Sequence, residues 1–219
     1  MAEPTTRGGS LEIRRLEPGG EAAVGALLAR AFAEDPIFVW IEPEPGARLA
    51  FLERFMSALT RRSLLYAEVW RTAPELAGVS LWKGPDLRGL SPGQLAATGL
   101  DRIGEWLSAP ALSRFEALFD PVEAALEEDV PGPRWYLGVL GVAPERQGEG
   151  LGSRLMRPIL ERADREGLPV TLETGQPRNL PLYRRHGFAV LREIPPPEPG
   201  GPVAWTLLRP PGTGRQPAG

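Results

Sequence analysis

At 219 residues and a formal net charge of −3, the chain can bury one good hydrophobic core but lacks the bulk positive charge of a nucleic-acid binder. It has no cysteine and one histidine, which removes disulfides, thiolate metal sites, a cysteine nucleophile and any multi-histidine metal centre, so no metal is expected. No apolar run approaches the roughly 20 residues of a transmembrane helix, and the opening MAEPTTRGGS lacks the apolar stretch of a signal peptide, so a soluble cytoplasmic protein with no membrane partner is expected.

Residues 1–10 are polar and expected to be flexible. Leu11 to Arg14 alternates as a first strand, which Gly19-Gly20 ends. Glu21 to Ala33 is helical, with Val24, Leu27, Leu28, Ala31 and Phe32 on one face. Glu34 to Trp40 reads as a turn and short helix, and Arg48 to Arg62 as another amphipathic helix. Leu64 to Trp70 and Ala77 to Lys83 read as strands of an antiparallel hairpin, with turn signals over Arg71 to Leu76. Ser91 to Glu128 is helical in two or three pieces, for which Ser91-Pro92 and Asp120-Pro121 offer N-cap and N1 pairs.

Trp135 to Val142 is a short apolar run of buried-strand character, stopped by Pro144. A helix then extends to about Glu166, with Pro158 inside it and Gly167 as the residue beyond its end. Leu168 to Leu172 is a strand, extended by Glu173-Thr174. Asn179 to His186 is a short helix. Gly187 to Ile194 and Val203 to Leu208 are closing strands. The pattern predicts a single α/β (α+β) domain over 11–209 with a mixed sheet, a helical insertion at about 85–133, and a flexible tail at 210–219.

The join between the apolar strand and the next helix carries the chemistry. Gln147-Gly148-Glu149-Gly150-Leu151-Gly152 puts glycines at alternate positions, where the backbone turns tightly and approaches a ligand closely. The first helical amides lack intrahelical partners and carry partial positive charge, so strand, glycine loop and helix start form an anion site suited to phosphate. The P-loop pattern fails, because Gly152 is followed by Ser153-Arg154, and the dinucleotide fingerprint fails on glycine spacing.

Gln147, Gly150 and Gly152 form Q-x-x-G-x-G, and Asn179, Tyr183, Gly187 and Phe188 form N-x-x-x-Y-x-x-x-G-F. With these two motifs in this order, the chain from about Trp135 to Glu193 resembles the GNAT superfamily of acetyl-CoA-dependent N-acetyltransferases. Within it, Leu172-Glu173-Thr174 before the Asn helix and Gly200-Gly201-Pro202 before a Trp-bearing strand look most like the subgroup that includes puromycin acetyltransferase.

The resemblance implies a mostly antiparallel GNAT-like sheet flanked by helices, with coenzyme A held by Gln147, Gly148, Glu149, Gly150, Leu151, Gly152, Ser153, Asn179 and Tyr183. A bulged strand would offer backbone groups of Leu140, Gly141 and Val142 to the pantetheine arm. Acetyl transfer needs a held thioester, a neutral amine, donors for the oxyanion and a proton for the thiolate. Tyr183 is the candidate acid, since a phenol of pKa about 10 can protonate a thiolate of about 8.5; its other reading is a core aromatic. Glu173, ending its strand, is the candidate base or a carboxylate in a structural hydrogen bond. Asn179 faces the ligand, caps the helix, or does both. His186 is read as structural, and Gly175 stands where related sequences often carry a small hydroxyl residue.

Asp35, Phe38 and Trp40 fall in the segment that walls the acceptor site in the family, and Trp82 ends a neighbouring strand; acid and aromatics would suit a cationic amine. The expected activity is transfer from acetyl-CoA to a primary amine of a small molecule, by direct attack in a ternary complex within a monomer or homodimer. Acetylation of a protein N-terminus or lysine, and a non-catalytic acyl-CoA sensor, stay open as alternatives.

Overall fold

The computed structural model describes residues 11–87 and 89–212. Most of the expected flexible tails, 1–10 and 213–219, lie outside the described residues. One seven-stranded sheet runs β1-β2-β3-β4-β5-β7-β6, from β1 (Glu12–Arg15), β2 (Val69–Ala73), β3 (Gly78–Lys83), β4 (Trp135–Val142), β5 (Val170–Thr174), β6 (Ala189–Ile194) and β7 (Ala204–Arg209). Every neighbouring pair is antiparallel except β4 and β5, which are parallel. This is the mixed, mostly antiparallel sheet the sequence implies.

Helices α1 (Glu21–Phe32), α2 (Pro36–Ile41) and α3 (Pro45–Tyr66) cover one face. Val24, Leu27 and Leu28 of α1 and Phe51, Leu52, Phe55 and Met56 of α3 bury against Val79, Leu81 and Val139 of the sheet. The other face carries α7 (Leu151–Glu166) and α8 (Leu180–Arg185). There Met156, Ile159 and Leu160 pack with Trp82, Trp135, Leu137, Val170 and Leu172. Alternation along β3 explains the division, since successive side chains point to opposite faces.

Two expected elements are corrected. Leu64 to Trp70 is a strand only in its last two residues: α3 runs on to Tyr66, and β2 spans Val69–Ala73, taking in residues 71–73 expected in the turn. Met56, Leu59, Thr60 and Ser63 keep a helical period of buried positions, and no breaker intervenes before Ala67. Asp120-Pro121 does not start a helix. Ser108 already caps α6 (Ala109–Asp129), accepting from the Ala111 amide, and Pro121 lies exposed inside it. The pieces of the insertion are instead divided at Gly99, which takes φ +80, and at Leu107, leaving α4 (Pro92–Thr98), α5 (Ile103–Trp106) and α6. The Ser91 cap holds as a full capping box with Gln94.

Candidate active site

β4 and β5 pair only through Trp135–Leu137 against Val170–Leu172, and beyond those residues the strands part. On the other flank of β4, Leu81 faces Val139 while Trp82 faces Leu137, so Gly138 is an extra residue, a bulge. The sequence places the bulge at Leu140, Gly141 and Val142; it sits earlier. A side chain at 138 would meet an Arg62 nitrogen at 3.2 Å and the Tyr136 ring at 3.3 Å, so glycine is the residue that fits.

At the open end of the gap lies a cavity of about 390 Å³. Leu140, Gly141, Val142, Gln147, Gly148, Gly150, Leu151, Gly152, Ser153, Asn179 and Tyr183, all expected to hold coenzyme A, line it. Gly148 and Gly150 have φ +86 and +75, and nothing stands within 4 Å of where their Cβ atoms would be. Gly150 is the N-cap of α7 and no side chain caps that helix, so its first amides are left for a ligand. This open cradle fits a pyrophosphate. Glu149 does not line the cavity; its carboxylate is held by Arg146, which also binds Glu75. Those two carboxylates raise the pKa of Arg146 further.

Arg146, Arg178 and Arg185 also line this cavity and were missed in the sequence reading, although Arg146 and Arg178 directly precede Gln147 and Asn179. Basic residues beside a phosphate loop were the available signal. Asn179 does not cap α8: it ends a 3₁₀ turn (Pro177–Asn179) in helical conformation, with no side-chain cap bond. His186, expected to be structural, does not line the cavity; its Nε2 lies 2.8 Å from Ser153 Oγ.

Tyr183 is buried against Phe188, yet it lines the cavity and its hydroxyl has no hydrogen bond among the described residues. Burial, with help from Glu173 and Asp35, pushes its phenol well above the ordinary value. The phenol therefore keeps its proton at neutral pH, but the near match with a thiol drawn from free pKa values is corrected: burial makes it the weaker acid.

Glu173 lines a second cavity, of about 150 Å³, with Arg62, Lys83, Tyr136 and the α6 residues Phe119, Val122, Glu123 and Leu126; the two cavities share no lining residue. The Tyr136 hydroxyl donates to Glu173 Oε2 at 2.6 Å. Desolvation outweighs that bond and the nearby Arg62, raising the Glu173 pKa to about 7. The hydrogen bond of one sequence reading is present, and a carboxyl with a pKa near neutrality is of the kind that exchanges protons in general acid–base chemistry. Tyr136 and Arg62 carried no sequence signal, being brought to Glu173 only by the sheet and α3.

The expected acceptor residues do not gather there. Trp82 is 0 % exposed and donates its indole N–H to Ser80 Oγ within the α7-side core. Phe38 lies among Phe32, Phe51, Phe55 and Phe119. Trp40 bonds Glu198, and Asp35 caps α2 through the Ile37 amide while lining the first cavity. Gly175 has no room for a side chain, since its Cβ would lie 2.4 Å from Ile37 Cδ1.

A mixed seven-stranded sheet parted between its parallel strands, with a glycine cradle at the gap, has the fold of the GNAT N-acetyltransferases. The sequence model of the Acetyltransferase (GNAT) family matches residues 87–188. An uncharacterized N-acetyltransferase of Schizosaccharomyces pombe is 29% identical over 194 residues, covering 84% of this chain and 76% of that protein. The crystal structure of "histone acetyltransferase HPA2 and related acetyltransferase" from Corynebacterium glutamicum superposes with a TM-score of 0.64 at 24% identity, covering 95% of this chain and 100% of that one. A Drosophila melanogaster polyamine N-acetyltransferase that forms N-acetylagmatine gives 0.60 at 17% identity, covering 92% and 100%. The family match and the yeast relative support the GNAT acetyltransferase family and indicate that the protein is an acyltransferase.

Proposed function

We propose that the protein transfers the acetyl group of acetyl-CoA to a primary amine of a small molecule, by direct attack in a ternary complex in the cytoplasm. The observation that carries this reading is the parted β4–β5 junction, with the glycine cradle and Tyr183 in one cavity and Glu173 in another beside the same gap.

Acetyl-CoA would supply an activated thioester. Its pyrophosphate would rest on the Gly148–Gly152 loop and the amides that open α7, and its arm would run along Leu140–Val142. Glu173, with a pKa of about 7, is half ionised at neutral pH and takes the proton that the ammonium must lose, directly or through water. Tyr183 presents its O–H to the departing sulfur. Because a buried tyrosinate is disfavoured, the phenol acts by donating a strong hydrogen bond as the carbon–sulfur bond breaks, with the proton passing as charge develops.

The partly enclosed second cavity favours a small acceptor over a protein lysine or N-terminus. The Drosophila enzyme's polyamine substrates are in keeping with that class. The finer likeness to the puromycin acetyltransferase subgroup rests on Leu172-Glu173-Thr174 and Gly200-Gly201-Pro202. Thiol release from acetyl-CoA, followed over a panel of small amines that includes puromycin, tests the proposal. Binding of coenzyme A with no amine-dependent release would favour the sensor reading, and release only with peptide amines would favour a protein substrate.

A further inference from the structure

The cavity that holds Glu173 contains a cation with no ion-pair partner among the described residues. Arg62, on α3, reaches over the Gly138 bulge. Its Nε is buried and makes no hydrogen bond, and no carboxylate pairs with its guanidinium among the described residues. Burial lowers the Arg62 pKa, and Tyr136, Glu173 and Glu123 oppose this only in part. A half-buried guanidinium whose Nε is buried without a partner is costly and is ordinarily matched by an anion.

Of the carboxylates that line the cavity, only the exposed Glu123 is left to oppose the Arg62 charge. Glu173 is engaged by the Tyr136 hydroxyl and, with a pKa of about 7, carries only about half a charge at neutral pH. Glu127 is taken by Arg134 at 2.5 Å. Lys83, the one lysine of the chain, stands half-buried in the same lining, also without an ion pair among the described residues. Two cations are left facing the exposed Glu123.

We infer that the acceptor amine carries an anionic group, a carboxylate or a phosphate, seated on Arg62 and Lys83. This rests on the proposed function, in which this cavity receives the acceptor. The planar guanidinium fork suits two oxygens of one acid group, and the lysine adds a point charge. An amino acid with its carboxylate on Arg62 can present its amine to Glu173 within one small cavity. A diamine would instead bring a second positive charge against Arg62, a repulsion that separates this site from one built for polyamines.

The test measures binding in the presence of saturating coenzyme A by calorimetry. The probes are amino acids with aliphatic, aromatic, acidic and basic side chains beside their carboxamides, phosphoethanolamine beside ethanolamine, and putrescine. Because Lys83 is the only lysine, its modification by an amine-reactive reagent, located by peptide mass, gives a second readout of occupancy.

In the expected result at least one acid binds roughly tenfold or more tightly than its uncharged counterpart, the scale of one lost charge-assisted hydrogen bond, and protects Lys83. The amino-acid and phosphoethanolamine arms separate carboxylate from phosphate. Arg62→Gln removes the preference and Lys83→Gln weakens it, with melting curves checking that both variants fold. Equal or tighter binding of the amides or putrescine, a preference that survives in both variants, or no binding by any probe overturns the inference. Acetyl transfer is scored separately. Acid-selective binding without transfer sinks the proposed function and leaves the anion site standing, and transfer without acid preference does the reverse.

Discussion

Tyr183 and Glu173 divide the proton chemistry between two cavities, so their substitutions should fail differently. Tyr183→Phe keeps the ring packed on Phe188 and loses only the hydroxyl. Turnover should fall roughly 100- to 10,000-fold with coenzyme A affinity nearly unchanged; a full-speed single turnover in this variant would remove Tyr183 from the mechanism. For Glu173 the raised pKa gives two signs to check. Activity should climb as pH rises through about 7, and Glu173→Gln should flatten that limb and lower its plateau. Stability moves the other way. A carboxyl whose folded pKa exceeds its unfolded value stabilises fully below the unfolded pKa, and that contribution is lost as pH rises through about 7. Glu173→Gln should therefore gain on the parent above pH 7, by at most ~3 kcal/mol, read from urea melts at two pH values. Tyr183 and Asn179 were legible because they sit one turn apart in a local motif. Arg62 and Tyr136 were not, since Glu173 meets them only through tertiary packing, and the raised pKa of Glu173 arises from that packing.

Among the elements, the strand–glycine loop–helix unit was the most legible, because each of its parts is set by neighbours in sequence: the proline stop, the left-handed glycines and the uncapped first turn of α7. Gly150→Asp there adds a side chain to a φ +75 position and a negative charge in the cradle. Coenzyme A binding should vanish in calorimetry while the circular dichroism spectrum is kept; normal binding by a folded variant would displace the phosphate assignment. Boundaries were less legible where two local rules compete. Leu64-Leu65-Tyr66 has strand-like apolarity, but α3 arrives already nucleated and simply continues. Asp120-Pro121 has the chemistry of a helix start, yet it sits in a helix begun at Ser108, where an exposed proline removes one bond without ending the run. The bulge at Gly138 was hidden because it depends on the register with β3.

Across the whole molecule, the two largest core clusters lie on either face of a sheet that the sequence's strand and helix order had already described as mixed. Coenzyme A at 100 times its dissociation constant should stabilise this fold by about 2.7 kcal/mol, and no change in melting temperature at saturating ligand would count against the site. The parting of β4 from β5 carries a further consequence. An ordinary open sheet has two outer edges; this one also has two inner edges, where the strands face each other across the gap beyond Leu137 and Leu172. Backbone groups there stand unladdered in the middle of the sheet, as on any edge strand. In deuterium exchange, the amides of β4 after Leu137 that point across the gap should trade their protons fast in the free protein, although they belong to a central strand. Coenzyme A laid along the gap should slow them selectively, as an added strand would, while the paired amides of Trp135–Leu137 stay slow in both states.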